Sequence, residues 1–179
     1  MFILSVSCAM ADDLQTNNTN TSETGIHIGV LTFIGTDLRI YHREPNSRLL
    51  LGIRYINFEE DFINEAIVGL PNEPSDRMRT SRTGVYTDYL LNDDYYNSFF
   101  ASIAILQTAK ELECNYETSA SSATGLYFGG GYRGNFSNHF GYTIGMLISP
   151  FVNIDMRTAT CESNDDGDFD LHFGITYKF

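Results

Sequence analysis

The residues best suited to chemistry are charged side chains that stand at alternate positions within otherwise apolar stretches. Seven of them lie opposite the large apolar residues of their stretches: Arg39, Arg54, Arg82, Asp88, Arg133, Asp170 and Lys178. A charge removed from water is costly unless it is paired, so we expect these residues to form a hydrogen-bonded ladder that fills an interior. The alternative is a narrow path or gate for ions.

The nucleophilic and basic residues do not form a recognisable catalytic motif. The four histidines stand in neither H-x-S nor H-E-x-x-H spacing, and the sequence has no G-x-S-x-G motif. Ser149 and His172 could lie near each other, but nothing in their spacing distinguishes them from ordinary interior residues. We therefore expect a protein that is not an enzyme and that uses no cofactor.

Composition argues against metal and nucleic-acid sites. Acidic runs at 59–61 and 165–168 could offer oxygen ligands to Ca²⁺, but the second lacks the loop and terminal Glu of an EF-hand. Both runs are expected to be solvated loop surface, with no bound metal. The net charge of -12, from 11 Lys+Arg against 23 Asp+Glu, leaves no basic face for a phosphate backbone. Nucleic acid is therefore excluded as a partner.

The first residues have the features of an export signal. Residues 1–11 form a short apolar segment that ends on Ala9 and Ala11, an A-x-A cleavage pattern. We expect residues 1–11 to be a signal peptide. Residues 12–24, rich in Asn, Thr and Ser, show no periodicity and are expected to be a flexible leader.

From residue 25 to 179 apolar and polar residues alternate with period two, which is typical of strands with one apolar face. The alternation is clearest at the end of the sequence, where every second residue is large and apolar: Phe169, Leu171, Phe173, Ile175, Tyr177 and Phe179. The same pattern predicts strands at 49–56, 82–91, 98–105, 125–133 and 140–149. Their opposite faces carry glycines, hydroxyls and charges, which is the content of a narrow barrel lumen.

The stretch 26–42 is either one long strand or two strands, 26–34 and 38–42, joined at Gly35-Thr36-Asp37. Outer-membrane barrels have even strand numbers, which favours the two-strand reading. The predicted fold is therefore an all-β, antiparallel, up-and-down transmembrane β-barrel of eight strands that spans residues 25–179.

The predicted links alternate in length around this barrel, except that the first outer link, 35–37, is only three residues long. Links at 43–47, 92–97 and 134–138 are short, and links at 59–79, 107–123 and 150–167 are long. Short periplasmic turns and long extracellular loops are typical of outer-membrane barrels. Cys114 and Cys161 fall in two neighbouring long loops, and an even cysteine count in an oxidising compartment predicts a disulfide between them. Two unpaired loop thiols are the alternative.

This pattern resembles the OmpA-like and OmpX-like eight-stranded barrels of Gram-negative bacteria, most closely over 25–58, 124–133 and 168–179. The resemblance implies an outer-membrane location, contact with membrane lipid and lipopolysaccharide, and a monomer. It also implies a terminal aromatic that the barrel-assembly machinery recognises. That role maps onto Phe179, with Tyr177 and Ile175 at the alternate positions.

The function predicted from these features is that of a non-enzymatic outer-membrane barrel. It would have a closed polar lumen, long extracellular loops, and a structural or surface-interaction role with a host or surface ligand at the loops. The alternatives are a small channel, a lipid-modifying enzyme, and a secreted barrel with its apolar face turned inward around a ligand. The charged and glycine-rich face would make a poor outer surface, which argues against the last.

Overall fold

Eight antiparallel strands form a closed barrel in which each strand pairs with its neighbours in the chain and β1 pairs with β8. The computed structural model describes residues 22–31, 35–59, 76–92, 97–114, 117–157 and 162–179. The strands are β1 Glu23–Leu31, β2 Gly35–Arg43, β3 Leu49–Glu59, β4 Asp76–Leu90, β5 Ser98–Cys114, β6 Glu117–Asn135, β7 Phe140–Arg157 and β8 Glu162–Lys178. The predicted fold class is confirmed, and β1 begins two residues before the predicted boundary at 25.

The period-two pattern becomes a strict alternation of burial because successive side chains on a strand point to opposite faces. In β5 every second residue from Ser98 to Cys114 is buried and every residue between is exposed. The barrel closes where Ile28 of β1 pairs with Ile175 of β8. Among the described residues, no helix is long and apolar enough to cross a membrane.

The stretch 26–42 contains two strands, as predicted, but the predicted junction is wrong. Gly35, Thr36 and Asp37 belong to β2 and pair with Leu31, Val30 and Gly29 of β1. Asp37 is fully buried in the barrel. Gly and Asp are typical turn residues, but a narrow lumen also accommodates a glycine or a paired carboxylate. Residue type alone therefore predicted the junction at the wrong position.

Much of the predicted long-loop sequence is strand, which corrects the predicted loops. Strand β5 runs to Cys114 and β6 begins at Glu117, so most of 107–123 extends a hairpin. In the same way β7 continues to Arg157, β8 begins at Glu162 and β4 begins at Asp76. Among the described side chains of these extensions, Phe151 is the one large apolar residue that faces outward, so the alternation signal is weak there. Cys114 therefore ends a strand and does not lie within a loop.

The outward face changes character along each long strand. On β5, Phe99, Ile103 and Ile105 are exposed apolar residues, whereas the next outward positions include Gln107, Glu111 and Glu113. Apolar side chains facing outward over a limited height are suited to hydrocarbon, and carboxylates facing outward are suited to water. The barrel thus has an apolar belt, and the extensions of β4 to β8 project beyond it.

Both chain termini described here lie at one end of the barrel, which we call the terminal end; the opposite end is the far end. The link between β2 and β3 is a tight turn at the terminal end, closed by the Ser47 amide donating to the Glu44 carbonyl at 3.1 Å. Asn46 adopts a positive φ of 57°, a conformation that Asn tolerates well, and Pro45 precedes it. Local sequence therefore determines this reversal.

Candidate functional site in the barrel interior

The structure places all seven predicted interior charges inside the barrel, each at most 7% exposed: Arg39, Arg54, Arg82, Asp88, Arg133, Asp170 and Lys178. Six of the seven belong to three groups of contacts at different heights, and the seventh, Asp88, is held by a contact of its own. Each group includes partners that the sequence did not single out.

The first group is centred on Asp37. Arg39 donates to the Asp37 carboxylate from Nη2 at 2.6 Å and from Nε at 3.0 Å. Arg54 approaches the same carboxylate side-on, with Nε 2.9 Å from Oδ1 and Nη2 3.0 Å from Oδ2. Charge-assisted, forked contacts of this kind are among the strongest hydrogen bonds in proteins. One buried carboxylate therefore orients two guanidinium groups.

Two histidines border this group. Nη2 of Arg54 lies 3.2 Å from Nδ1 of His172, and Nδ1 of His27 lies 3.2 Å from the Thr176 hydroxyl. Nε2 of His27 is 3.9 Å from the Asp37 carboxylate. The two histidines extend the Asp37 group across to β1 and β8.

Glycines make room for both imidazole rings. A Cβ added at Gly174 would lie 2.6 Å from Nε2 of His27, and one added at Gly145 would lie 2.8 Å from Nε2 of His172. Carbon atoms do not approach so closely without displacing something. Gly145 on β7 and Gly174 on β8 are therefore required by the imidazole rings that pack against them.

The second group is centred on Arg82. Its guanidinium bridges the carboxylates of Asp168 and Asp170 on β8. Asp168 also accepts a hydrogen bond from the Tyr127 hydroxyl at 2.7 Å, and that hydroxyl is 2.6 Å from Thr108 Oγ1. The group thus connects β4, β5, β6 and β8 across the lumen.

The third group lies towards the terminal end. The guanidinium carbon of Arg133 lies 4.7 Å from the centre of the Tyr41 ring, and the Tyr41 hydroxyl donates to Glu23 at 2.7 Å. Lys178 is buried nearby and interacts electrostatically with Glu23 and Arg133. Asp88 accepts a hydrogen bond from the Ser102 hydroxyl at 2.5 Å.

Buried apolar side chains lie on both sides of the charged groups. Towards the terminal end they are Tyr41, Leu50, Tyr86, Leu90 and Phe100, and towards the far end they are Ile56, Leu106, Leu112, Val152 and Ile154. Eight strands leave an interior just wide enough for side chains to fill. The interior is thus packed in layers along its height, with charged groups between apolar ones.

Sequence reasoning missed Asp37 and Asp168 as members of these groups. Asp37 was assigned to a turn, although it stands two residues before Arg39 and therefore shares its face on a strand. Asp168 was predicted to lie in the solvated acidic run 165–168, which is wrong: it stands two residues before Asp170 on β8 and is paired with Arg82. In both cases the signal available in the sequence was the spacing, because each aspartate stands two residues from a charge that was predicted to face inward.

The residues that could have suggested catalysis are placed apart. The Ser149 hydroxyl donates to the Leu126 carbonyl at 2.8 Å, and Ser149 pairs with Asp168 across β7 and β8. His172 instead pairs with Gly145 and contacts Arg54. Among the described residues, no three or more His, Cys, Asp or Glu side chains are grouped so that they could hold a metal ion.

Of the predicted disulfide, one partner lies outside the described residues. Cys114 is buried at the end of β5, and Cys161 is not described. The pairing of the two cysteines therefore stays a prediction. The predicted assembly residues Ile175, Tyr177 and Phe179 all face outward, and the Phe179 ring meets the Tyr177 ring edge-on at 5.2 Å. Their recognition by assembly machinery also stays a prediction.

An apolar outer belt around a charge-filled interior defines the class: the chain is an eight-stranded transmembrane β-barrel of the outer-membrane type. No protein-family model matches the sequence, and no curated protein matches it. The similarity to solved structures is one of fold.

Three solved structures show this likeness. Neisserial surface protein A matches with a TM-score of 0.61 and 10% identity, over 88% of this chain and 94% of that one. The N-terminal β-barrel domain of Pseudomonas aeruginosa OprF matches with a TM-score of 0.59 and 10% identity, over 89% and 98%. A major outer membrane protein from Thermus thermophilus matches with a TM-score of 0.59 and 9% identity, over 89% and 100%. The chain therefore has the fold of these small barrels along most of its length.

Proposed function

We propose that the chain is a non-enzymatic barrel of the bacterial outer membrane, with a closed polar lumen and a structural or surface-interaction role. The observation that supports the proposal is that the outward face of the long strands changes from apolar to charged along their length. The outward face is apolar from Phe99 to Ile105 of β5 and carries carboxylates at Glu111 and Glu113. A strand built in this way is suited to crossing the hydrocarbon and then standing in water.

The closed lumen is supported by the filling of the interior. Arg54 and Arg82 are among the largest fully buried side chains, and each is held by carboxylates on other strands. Opening a conducting path would separate these ion pairs in a water-poor interior, which costs several kcal/mol for each unpaired charge. A role as a small channel is therefore the less favoured alternative.

A lipid-modifying activity is also disfavoured by the geometry. Ser149 and His172 both face the interior; the Ser149 hydroxyl donates to the Leu126 carbonyl, and Nδ1 of His172 contacts Arg54 on another strand. A nucleophile and its base must lie within hydrogen-bonding distance of each other. The proposed partners are instead membrane lipid and lipopolysaccharide around the belt, the assembly machinery at Phe179, and a host or surface ligand at the far end, which would be extracellular.

Membrane fractionation combined with gel mobility tests this proposal. The protein is expected in the outer-membrane fraction, and unboiled samples should migrate differently from boiled ones because the folded barrel resists detergent at room temperature. In planar bilayers the purified barrel should give no discrete conductance steps. Recovery as a soluble protein would contradict the membrane assignment, and reproducible conductance steps would contradict the closed lumen.

A further inference from the structure

His27 is buried in the lumen beside the carboxylate that two arginines share. Its Nδ1 atom lies 3.2 Å from the Thr176 hydroxyl, whereas Nε2 lies 3.9 Å from Oδ2 of Asp37. That separation is too long for a hydrogen bond, and Nε2 is buried without another partner in the described part of the chain. A protonated Nε2 would reach the carboxylate after a shift of about 1 Å. His27 is thus placed to become a partner of Asp37 when it takes up a proton.

Guanidinium groups outnumber carboxylates around His27. The charged groups that face it are Asp37 and Arg39 of β2, Arg54 of β3 and Arg133 of β6, and its titratable neighbour on β8 is His172. A proton on His27 therefore adds to an existing excess of positive charge. The ring can hold that proton in an ion pair with Asp37 only if one of the guanidinium groups moves away.

Arg54 is the group with the weaker hold on Asp37. Arg39 stands two residues from Asp37 on the same strand and makes the shortest contact with it, 2.6 Å from Nη2 to Oδ2. Arg54 reaches the carboxylate from β3 at 2.9 and 3.0 Å, and its Nη2 also lies 3.2 Å from Nδ1 of His172. A guanidinium group only donates hydrogen bonds, so this Nδ1 is an acceptor and His172 is neutral. His172 therefore reports whether Arg54 is in place.

Asp170 offers Arg54 a second carboxylate. It stands two residues before His172 on β8 and is likewise buried in the lumen. Its Oδ1 accepts from Arg82, and its Oδ2 is buried and has no hydrogen-bond partner among the described residues. Arg54 already interacts electrostatically with Asp170. Inward positions on one strand lie about 7 Å apart, which a long arginine side chain can span when its rotamer changes.

We infer that acid exchanges one ion pair in the lumen: Arg54 leaves Asp37 and pairs with Asp170. Protonation of His27 drives the exchange, because the charged ring is attracted to Asp37 and repelled by the guanidinium group that lies there. The protonated ring then takes the place that Arg54 leaves. The unused oxygen of Asp170 receives the displaced guanidinium group.

The exchange leaves no guanidinium group of this region without a carboxylate. Arg39 keeps its hydrogen bonds to Asp37, and Arg82 keeps its bridge to Asp168 and Asp170. Removing one partner of a buried ion pair is strongly destabilising, and the second carboxylate avoids that loss. The lumen thus takes up a proton and stays closed. The inference goes beyond the proposed function but rests on the closed lumen in it.

Nuclear magnetic resonance of the full chain in phosphatidylcholine nanodiscs tests the exchange. Isotope-labelled histidine is followed from about pH 8 to about pH 4, which brackets the ordinary histidine range. His27 is expected to become protonated on both nitrogens in acid. Over the same range, Nδ1 of His172 should lose the hydrogen bond from Arg54 and shift towards the value of a free imidazole nitrogen. His42 and His139 are exposed and should titrate independently.

Two aspartate variants distinguish the exchange from a general loss of lumen charge. Asp170→Asn removes the carboxylate that receives Arg54, and Asp168→Asn is the matched control, because Arg82 bridges both aspartates. The pH of half-protonation of His27 should fall by about one unit in Asp170→Asn, which is about tenfold in proton affinity. It should stay nearly unchanged in Asp168→Asn.

His27→Gln provides a test that does not depend on the aspartate variants. Glutamine takes up no proton, so the His172 signal should keep its hydrogen-bonded position through the pH range in which it shifts in the unchanged protein. Heat-modifiable gel mobility reports for every variant whether the barrel is folded.

Three results of the titration would overturn the inference. They are a His27 that stays neutral throughout in a folded barrel, a His172 that keeps its hydrogen bond from Arg54 while His27 is protonated, and equal shifts in the two aspartate variants. Conductance steps in planar bilayers that begin only in acid would also overturn it, because the ion pairs would then open instead of exchanging. Conductance already present at neutral pH would contradict the closed lumen of the proposed function itself, and the inference with it.

Discussion

Arg39 and Arg54 occupy directly opposing positions on β2 and β3, and the Asp37 carboxylate lies between their guanidinium groups. Like charges placed opposite each other on paired strands are destabilising. The arrangement holds because Asp37 accepts forked hydrogen bonds from both partners and is itself completely removed from solvent. The stability of this part of the barrel therefore depends on one carboxylate that the two arginines share.

Replacing Asp37 by Asn should destabilise the folded barrel by about 3–5 kcal/mol, because it leaves two buried guanidinium groups facing each other. The free energy of unfolding is measured by denaturant titration of the refolded barrel in detergent. Because the chain has no tryptophan, unfolding is followed by circular dichroism or gel mobility.

A double variant provides the control for this prediction. Asp37→Asn combined with Arg39→Gln removes one of the opposed charges and should recover part of the lost stability. If the single variant is as stable as the unchanged protein, or the double variant is no better than the single one, Asp37 does not have the role assigned to it.

The outward face of β7 should contact lipid. Ile144→Arg should cost about 2–4 kcal/mol if the position lies at the bilayer midplane. Ile144 is exposed and its neighbour Thr143 is buried, so single labels at the two positions form a matched pair. Spin or fluorescence labels at Ile144, Ile103 and Phe173 should report lipid, whereas labels at Thr143 and His172 should not. Similar responses from the two sets of labels would contradict the assignment of the Ile144 side to lipid and of the Thr143 side to the interior.

Cys114 and Cys161 are predicted to be bridged in protein taken from cells. Thiol labelling of unfolded, unreduced protein should be negligible and should rise after reduction. The bridge would stabilise the folded state by about 4 kcal/mol in the chain-entropy model. Cys114→Ser should make Cys161 reactive, and the reverse should hold for Cys161→Ser. Two reactive thiols in the unchanged protein would refute the bridge.

Deleting Phe179 should sharply reduce the yield of barrel in the outer membrane. Phe136 is the matched control, because both residues are 70% exposed aromatics and Phe136 lies in the β6–β7 connection, outside the terminal strand. Phe136→Ala should leave the yield nearly unchanged, since it removes interfacial apolar area without altering the terminal pattern. Equal losses in the two variants would reduce the role of Phe179 to ordinary membrane-interface packing.

The alternation in β5 and β8 shows what could be predicted from sequence. Successive residues on a strand point to opposite faces. Alternate residues of β8 therefore face outward from Phe169 to Phe179, and the residues between them, from Asp170 to Lys178, face inward. The predicted parity agrees with the observed burial on β8 throughout the residues whose side chains are described. The inward location of Arg39, Arg54 and Arg82 followed from the same rule.

Strand ends were less predictable where polar and small residues replace apolar ones. Residues 117–124 of β6 carry no large apolar side chain, so their extended structure depends on the ladder with β5. The Gly35 to Asp37 segment has turn-like composition and still forms part of β2, because β1 and β2 pair through it. In both cases neighbouring strands supply the hydrogen bonds that decide the local structure.

The sequence by itself determined the strand periodicity, the two faces of the wall and the charged content of the interior, since all three depend on residue order along single strands. Only the tertiary structure decided that Asp37 joins Arg39 to Arg54, that Arg82 bridges two carboxylates of β8, and that the described β6–β7 ladder ends at Phe128 and Ile148. Contacts across a lumen depend on register and closure, which combine all eight strands. No single stretch of sequence carries that information.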